Sequence, residues 1–383
     1  MLSVKSATSV QPGPFAHSPA ALTKQASIII VSYNSQPYLA TCLKTVLATV
    51  GEAGEVILLD NASVDGSADF VAARFPQVKL IRSDTNLGFA AANNRAVAQA
   101  QGRYVVALNP DTLVTPGWLE ALLAPFEREG QAQVGLTTPR ILMLQEPHKI
   151  NTCGNQMHFT GLTFCRGLNQ PANSPELAVA GEVSAVSGAC FALPRSLWTK
   201  LGGFDETFFL YLEDTDLSLR ARLAGYTCLY VPEAVVYHDY TNRFPASKMF
   251  YLERNRWLLL LKNYQLKTLG RILPALLLTE LVTWGYTFKQ GWPGLKSRLQ
   301  AYGWLLTHLK MILQKRRQTQ QLRQVSDHEL LRMMDWRLNL CQLAGPTLAQ
   351  AADYTLNPLY YLVYSRNLRS RAPFPEMKGG VIN

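Results

Sequence analysis

The chain has 383 residues, enough for one large domain or two smaller ones, and its hydrophobic fraction of 48 % excludes an intrinsically disordered protein. Its net charge of +10 is unevenly distributed, because residues 243–323 contain fifteen Lys and Arg but two acids, whereas the remainder sums to −3. A basic segment can bind nucleic acid or anionic lipid, and the Leu and Trp residues of this one favour lipid.

The cysteines and the N-terminus carry no signature of secretion. The six cysteines form no C-x-x-C pair and no regular spacing, so we expect reduced cytosolic thiols. Residues 1–25 contain no continuous apolar run and do not resemble a secretory signal. We expect this stretch to be a disordered lead-in to the first domain.

Short apolar runs alternate with helical patterns in the first 110 residues. Strands are predicted at 27–31, 55–59, 78–82 and 103–108, and helices at 37–50, 67–75 and 90–100. Alternation of this kind predicts a parallel, right-handed α/β sheet flanked by helices. Polar residues follow three of the strands directly, namely Ser-Tyr-Asn at 32–34, Asp-Asn-Ala-Ser at 60–63 and Asn-Pro-Asp at 109–111. Because open α/β sheets bind ligands at the carboxyl ends of their strands, these segments predict a common binding site.

The pattern weakens between residues 137 and 183, where Gly, Asn and Pro are frequent. We expect a loop-rich insert there that shapes the substrate site. Beyond it, a helix is predicted at 213–223 and a last strand at 226–231, followed by an apolar segment at 235–238.

After residue 248 the chain is helical, basic and rich in Leu and Trp. Its longest apolar stretch, 272–288, is shorter than the roughly 20 residues that span a bilayer, and it contains Glu280. We therefore expect residues 246–318 to lie in a membrane interface, with Trp and Leu in lipid and Lys and Arg toward the headgroups. The alternative is an ordinary helical subdomain packed on the core. A further helix is predicted at 329–343, within a C-terminal tail at 319–383.

Several common nucleotide-binding and catalytic motifs are absent. The sequence has no G-x-G-x-x-G, no G-x-x-x-x-G-K-[ST] and no G-x-S-x-G, which argues against dehydrogenases, P-loop NTPases and α/β-hydrolases. The remaining candidates for chemistry are carboxylates and one histidine. Asp111 follows a strand and a proline, where it could hold a divalent cation against a diphosphate or form a simple turn.

Glu213 and Asp214 begin a predicted helix, directly after the apolar-aromatic run 208–212. They could cap the helix, or a carboxylate desolvated by the aromatic residues could act as a general base. His238 closes an apolar run and could be a core residue. Near Asp111, its neutral imidazole could instead complete a metal site.

Six segments in combination resemble family 2 glycosyltransferases of the GT-A fold, over about residues 27–240. They are IIIVSYNS (28–35), ILLDNASVDGS (57–67), NLGFAAANN (86–94), ALNPDT (107–112), the long segment 187–226 and LYVPEAVVYH (229–238). The chain is similar in particular to the branch that contains rhamnosyl- and galactofuranosyl-type transferases of bacterial surface polysaccharides. The resemblance implies a mixed, mainly parallel sheet in a catalytic domain at 26–245, with a donor half at 26–136 and an acceptor half at 137–245.

The resemblance also implies a role for each matching residue. Asp214 stands at the position of the base that deprotonates the acceptor hydroxyl, and Glu213 would help to orient the acceptor. Asp111 stands at the last Asp of the D-x-D motif, which binds Mg²⁺ or Mn²⁺ bridged to the diphosphate, and His238 matches a ligand position of some relatives. The donor would contact Val31, Tyr33, Asn34, Asp60, Asn61, Gly88, Asn94, Arg95 and Asn109.

Two positions depart from the family pattern. Asn109 replaces the first Asp of D-x-D, so one carboxylate ligand is missing, and His238 could compensate for it. Asn93 stands where many relatives carry Arg, so a cationic contact to the diphosphate could be lost, and Arg95 could replace it.

We therefore expect an inverting, metal-dependent glycosyltransferase on the cytoplasmic face of the plasma membrane. It would move a sugar, with rhamnose among the candidates, from a UDP- or dTDP-sugar to a hydroxyl of a lipid-linked or polysaccharide acceptor. We expect an anionic membrane surface as a further partner and no nucleic acid, since no nucleic-acid-binding module is visible. The alternatives are a non-catalytic nucleotide-sugar-binding protein of a polysaccharide assembly complex and a nucleotidyltransferase, for which the expected Gly-rich loop is missing.

Overall fold

A computed structural model describes residues 25–52, 54–128, 133–240, 246–342 and 346–368. The expected disordered lead-in lies outside the described residues, apart from Gln25, as does the end of the C-terminal tail after residue 368.

One large mixed sheet organises the chain from β1 to β12. The strands are β1 (Ala26–Ser32), β2 (Gly54–Asp60), β3 (Lys79–Arg82), β4 (Tyr104–Leu108), β5 (Thr112–Val114), β6 (Val134–Met143), β7 (Ile150–Thr152), β8 (Asn155–Met157), β9 (Thr163–Cys165), β10 (Gly181–Glu182), β11 (Cys190–Pro194) and β12 (Thr227–His238). Ten of them form this sheet in the order β10-β12-β6-β11-β4-β1-β2-β3, with β5 beside β12 and β7 beside β6, whereas β8 pairs with β9 separately. The pairs β1–β2, β1–β4, β2–β3 and β6–β12 are parallel, and β11 runs antiparallel to both of its neighbours. The pairs β5–β12, β6–β7 and β10–β12 are antiparallel as well, so the predicted mixed sheet is confirmed, with its parallel pairing in β4-β1-β2-β3 and between β6 and β12.

Helices cover both faces of the sheet and continue beyond it to the C-terminus. They are α1 (Gln36–Val50), α2 (Ser67–Arg74), α3 (Gly88–Val97), α4 (Trp118–Leu123), α5 (Arg195–Leu201), α6 (Glu213–Leu223), α7 (Ala246–Asn263), α8 (Leu266–Arg271), α9 (Leu273–Lys289), α10 (Gly291–Thr307), α11 (Leu309–Gln321), α12 (Asp327–Arg332), α13 (Pro346–Thr355) and α14 (Asn357–Leu368).

The central strand β1 is buried along its whole length, which explains its continuous apolar sequence. Ile28 and Ile30 pack in a core with α1, α2 and α4 on one face of the sheet. Ile29 and Val31 point the other way, into a core with α3, α5 and α6. Because side chains alternate along a strand, a strand between two helical layers needs apolar residues at both sets of positions.

Two predictions for the second half of the sheet need correction. The supposed loop-rich insert begins inside β6, which runs to Met143, so the proposed boundary between donor and acceptor halves at 136/137 falls within a strand. The apolar segments at 226–231 and 235–238 form one strand, β12. Its pairing with β6 shifts between Val231 and Val235, around Pro232, which has no N–H to donate to a ladder.

The C-terminal helices share a core with the sheet domain. Leu258, Leu259 and Leu260 of α7 are fully buried in a cluster that includes Phe159 and Phe208 from that domain. The expectation that the leucine run of 257–261 faces lipid is therefore wrong. For α7, the alternative of a helical subdomain packed on the core is correct.

The basic residues of this region are also partly internal. Arg254, Arg256, Lys262 and Arg298 are all buried. Lys262 pairs with Asp205 and with Asp216 of α6, while Arg256 and Arg298 pair with Glu280. A basic helix of this kind is neutralised by acids of the same chain, so its charge does not by itself indicate lipid.

The helix predicted at 329–343 is shorter than expected. α12 ends at Arg332, and the N–H of Asp335 donates to the carbonyl of Met157 at 2.8 Å. Hydrogen bonding to the sheet domain therefore replaces the predicted helix from this point. Within the described ranges, no helix has an apolar stretch long enough to cross a bilayer.

Candidate active site

The three polar segments predicted at the strand ends lie side by side, because β1 is hydrogen-bonded to both β2 and β4. The N–H of Asn61 donates to the carbonyl of Ser32 at 2.8 Å and ties the ends of β1 and β2 together. Asn34 binds the same loop, since its Oδ1 accepts from the N–H of Val64 at 2.9 Å. Asp60 accepts from the N–H of Ser63 at 3.1 Å through Oδ2.

Several atoms here are available to a ligand. Oδ1 of Asp60 and Oγ of Ser32 are buried, and neither finds a hydrogen-bond partner among the described residues. Val31 is buried at the end of β1, while the Tyr33 side chain is 50 % exposed. An exposed ring beside buried, unsatisfied oxygen atoms is suited to a nucleoside, which presents a flat base and hydroxyl donors.

Asn61 and Gly88 shape the next loop. Asn61 accepts from the N–H of Leu87 at 2.8 Å and donates to Oδ1 of Asn86 at 3.0 Å, so it fixes the turn that begins α3. Gly88 has a φ of 77°, and a Cβ at this position would lie 2.4 Å from the ring of Phe209. The absence of a side chain at Gly88 thus permits the close approach of Phe209, which belongs to the loop before Glu213.

The asparagines of α3 make contacts within the protein. The amide of Asn94 donates to the Phe204 carbonyl and to Glu206, both at 2.9 Å, and accepts from the Phe204 N–H at 2.9 Å. Asn93 is buried and donates to the carbonyl one turn earlier, at 2.8 Å. Arg95 is exposed, with NH1 3.5 Å from Oγ of Ser83. Contact of Asn94 or Arg95 with the donor remains a prediction.

Asp111 and His238 come together although 127 positions separate them, because β12 brings its end next to the segment after β4. Nε2 of His238 lies 3.3 Å from Oδ1 of Asp111. Nδ1 of His238 lies 2.9 Å from Oδ1 of Asn151. In the tautomer that carries its proton on Nδ1 and donates it to this amide oxygen, the lone pair of Nε2 faces the carboxylate.

This pair fits a divalent cation. Oδ1 of Asp111 is buried and accepts no hydrogen bond from the part of the chain that the structure describes. Two lone pairs facing each other are stable only with a cation or a proton between them. No group of three or more His, Cys, Asp or Glu side chains with metal-binding geometry occurs among the described residues. Two protein ligands nevertheless suffice for Mg²⁺, which usually completes its shell with water and substrate phosphates.

Asp214 lies at the start of α6 and is held by several donors. Its Oδ2 accepts from the N–H of Gly188 at 2.7 Å and from Nδ2 of Asn155 at 3.2 Å. Its Oδ1 accepts from the N–H of Thr215 at 2.6 Å. A Cβ on Gly188 would lie 3.2 Å from Asp214 Oδ2, so the small residue leaves room for the carboxylate.

Burial sets the proton affinity of the two acids. It raises the pKa of Asp214 above that of an ordinary aspartate, an effect that the hydrogen bonds from Gly188 and Thr215 partly offset. The pKa of Glu213 is raised further, first by burial and then by the neighbouring Asp214 charge. Oε2 of Glu213 is buried and has no hydrogen-bond partner within the described ranges. Glu213 is thus expected to keep its proton longer than Asp214, which leaves Asp214 as the better base.

The Asp111 segment and Asp214 are connected through one short loop. The N–H of Asn109 donates to the carbonyl of Ala189 at 2.9 Å, and the adjacent Gly188 donates to Asp214. The structure therefore places the predicted metal and base segments at the same edge of the sheet. Sequence reasoning missed Asn151 and Asn155, which lie in the weakly patterned insert. The only sequence signal for them was the pair of asparagines in the segment Ile-Asn-Thr-Cys-Gly-Asn.

Comparison with known proteins agrees with this geometry. Residues 27–180 match the sequence profile described as "Glycosyl transferase family 2", and residues 104–314 match "Glycosyl transferase family group 2". N-acetylglucosaminyl-diphospho-decaprenol L-rhamnosyltransferase of Mycobacterium tuberculosis is 31 % identical over 254 residues, covering 60 % of this chain and 81 % of the relative. O-antigen biosynthesis protein RfbC of Myxococcus xanthus is 27 % identical, over 58 % of this chain and 18 % of its own length.

Solved structures agree on the fold. Residues 1–349 of TarS from S. aureus superpose with a TM-score of 0.50 at 16 % identity, covering 90 % of this chain and 92 % of that one. GalNAc-T7, solved with UDP, GalNAc and Mn²⁺, gives a TM-score of 0.50 at 18 % identity, covering 62 % of this chain and 48 % of that one. The sheet and its polar edge thus define a glycosyltransferase of the GT-A fold. The chain belongs to glycosyltransferase family 2 and resembles its rhamnosyltransferases.

Proposed function

We propose that this protein is an inverting glycosyltransferase that moves a sugar from a UDP- or dTDP-sugar to a hydroxyl of a lipid-linked or polysaccharide acceptor. The observation that carries the proposal is the Asp214 carboxylate. It is buried, fixed by the N–H groups of Gly188 and Thr215, and joined through one loop to the segment of Asp111. A fixed carboxylate of raised pKa is suited to taking a proton from an attacking hydroxyl.

The roles of the individual residues follow from their contacts. Asp214 would accept the hydroxyl proton while the acceptor oxygen attacks the anomeric carbon opposite the leaving diphosphate. Burial raises the pKa of Glu213, and in its protonated form Glu213 would donate a hydrogen bond to the acceptor. One direct displacement inverts the anomeric centre, whereas retention through a glycosyl-enzyme would need a second displacement.

Asp111 and His238 would hold Mg²⁺ or Mn²⁺, and Asn151 would orient the imidazole. When bound, the ion supplies positive charge to the leaving diphosphate. Tyr33 and Asp60 would contact the nucleoside, since one is exposed and the other has a buried oxygen without a partner in the described ranges.

The acceptor class rests on the M. tuberculosis relative, whose name identifies a diphospho-decaprenol glycan as its acceptor and rhamnose as its sugar. We infer a similar lipid-linked acceptor here, with rhamnose as the first sugar to test. A peripheral position at the cytoplasmic face of the inner membrane would give access to such a lipid.

Apolar side chains exposed on the C-terminal helices support that position. Leu277, Leu281 and Phe288 of α9 and Trp292 of α10 are all more than half exposed. Lys289 and Lys296 are exposed near them in sequence. Exposed apolar residues flanked by cations are typical of helices that lie at an anionic lipid surface.

The test is release of nucleoside diphosphate from a panel of UDP-, dTDP- and GDP-sugars, with and without Mg²⁺ or Mn²⁺. We expect one donor to react, only with metal, and the reaction to be lost in Asp111→Ala. Glu120→Ala removes an exposed acid from α4 and serves as the control. A protein that binds a donor without any release, even with liposomes and lipid extract present, would instead be the non-catalytic binder.

A further inference from the structure

The chain reaches Glu213 and Asp214 through an unusual backbone. Phe209, Tyr211 and Leu212 have φ angles of 61°, 69° and 66°. Bulky side chains rarely adopt this left-handed region, and residues held there persist only where the surrounding structure enforces the conformation. The loop before the proposed base therefore needs an external support.

Asn255 of α7 provides one part of this support. Its Nδ2 lies 3.0, 2.9 and 2.7 Å from the carbonyl oxygens of Phe208, Leu210 and Tyr211. Asn255 is fully buried, so its amide makes these contacts inside the protein. The two N–H donors of one side-chain amide thus serve three carbonyl groups of the strained loop, with one N–H shared between two of them.

Arg254 provides the other part. Its guanidinium donates to the carbonyls of Thr207 and Phe208 at 2.9 and 2.7 Å. Its Nε donates to Oδ1 of Asn255 at 2.9 Å, which leaves the Asn255 NH₂ group directed at the loop. Two consecutive residues therefore act together on the carbonyls of residues 207–211.

The opposite side of the loop is tied to the donor half. The carbonyl of Phe209 accepts from the N–H of Phe89, in α3, at 2.7 Å. The ring of Phe209 stacks on the ring of Tyr251, in α7, with 5.4 Å between centroids. Gly88 lies against the same ring. The loop is consequently held between the start of α3, beside the predicted donor site, and α7.

We propose that Asn255 and Arg254 are positioning residues, which hold the loop 207–212 so that Asp214 is aligned with the acceptor hydroxyl and the donor. This inference rests on the proposed role of Asp214 as the base. It assigns part of the catalytic alignment to a helix outside the sheet, and neither residue needs to touch a substrate.

The test uses Asn255→Asp in the full chain. The substitution keeps the shape and the bond from Arg254 but replaces the N–H donors with an oxygen facing three carbonyls. We expect kcat to fall about 100-fold, the loss typical of a small misplacement of a catalytic group, with the donor KM and the donor Kd unchanged. Arg254→Lys keeps the positive charge but loses the several N–H donors of the guanidinium, so it should also lower kcat, by a smaller factor. This variant takes the place of Asn255→Asp if that protein does not fold.

Asn263→Ala is the matched control, because it removes another buried α7 amide, one that binds Asp216 and not the loop. It should lower the melting temperature with kcat near that of the wild type. In an Asp214→Asn background, Asn255→Asp should cause no further loss of kcat, since it acts through Asp214.

Three results would overturn the inference: wild-type kcat in both Asn255→Asp and Arg254→Lys, an equal fall of kcat in Asn263→Ala, or additive losses in the double variant. Failure of the proposed function itself would look different, because Asp214→Asn alone would then retain turnover.

Discussion

The polar edge of the sheet and the C-terminal helices use charge in different ways. At the sheet edge, Asp60, Asp111 and Glu213 keep buried oxygen atoms without a protein partner among the described residues, as expected where a ligand binds. In the helices, Arg254 and Lys262 are buried and their donors are used on loop carbonyls or acids of the same chain. These carboxylates of the sheet edge thus keep oxygen atoms free for a ligand, whereas Arg254 and Lys262 of the helices are paired within the chain and support the fold.

The largest effect that this comparison predicts is in Asp214→Asn. Removing the base should lower kcat by about 10²–10⁴-fold while donor binding by calorimetry stays near that of the wild type. The substitution keeps the side-chain size, so folding should be preserved. Near-normal turnover would remove Asp214 from the chemistry.

The second prediction concerns support rather than chemistry. Lys262→Met leaves Asp205 and Asp216 buried with fewer counterions, so the free energy of unfolding should fall by about 3–5 kcal/mol. Denaturant titration measures the change, with exposed Lys267→Met as the control. Equal stability of the two variants would show that the buried pair contributes nothing.

The third prediction tests the link between Asn151 and the metal. Asn151→Ala should weaken Mn²⁺ binding by about 10–100-fold, because the imidazole of His238 loses the acceptor that fixes its tautomer. Titration with Mn²⁺ followed by electron paramagnetic resonance, in the presence of nucleoside diphosphate, measures the affinity. An unchanged affinity would contradict the assigned role of Asn151.

The fourth prediction is the pH dependence of kcat. The base must be deprotonated, and burial raises the pKa of Asp214, so it keeps its proton to a higher pH than an ordinary aspartate near 3.9. We therefore expect the acidic midpoint of the pH profile of kcat to lie above the pKa of an ordinary aspartate. Below this midpoint, kcat should fall about tenfold per pH unit. A midpoint at or below the pKa of an ordinary aspartate would mean that another group is titrating.

The smallest effect on folding is expected at the exposed apolar surface of α9. Leu281, which is 71 % exposed, can be replaced by Asn with a change in unfolding free energy within about 0.5 kcal/mol. Cosedimentation with anionic vesicles should nevertheless decrease in Leu281→Asn combined with Phe288→Ser. Unchanged cosedimentation would exclude this surface from lipid binding.

The sequence predicted the parts of the molecule where local pattern and burial agree. The β-branched run of β1 and the polar residues after β1, β2 and β4 identified both the sheet and its binding edge, because strand ends position side chains with little help from elsewhere. Helix α6 was predicted with its observed bounds, so the start of the helix at Glu213 was known.

Long-range contacts account for what the sequence did not reveal. The leucines and cations of α7 gave the pattern of an interfacial helix, yet their partners Asp205, Asp216 and Phe208 lie some fifty residues earlier in the chain. Likewise, no local pattern marked Asn151 or Asn155, since each acquires its role only when the insert folds against His238 or Asp214.

The stereochemistry of transfer tests the central claim most directly. With the donor that reacts in the panel and water as a slow acceptor, proton NMR identifies the anomer of the sugar released first. A single displacement assisted by Asp214 predicts the anomer opposite to that of the donor. Release of the same anomer as in the donor would contradict an inverting mechanism with Asp214 as the base.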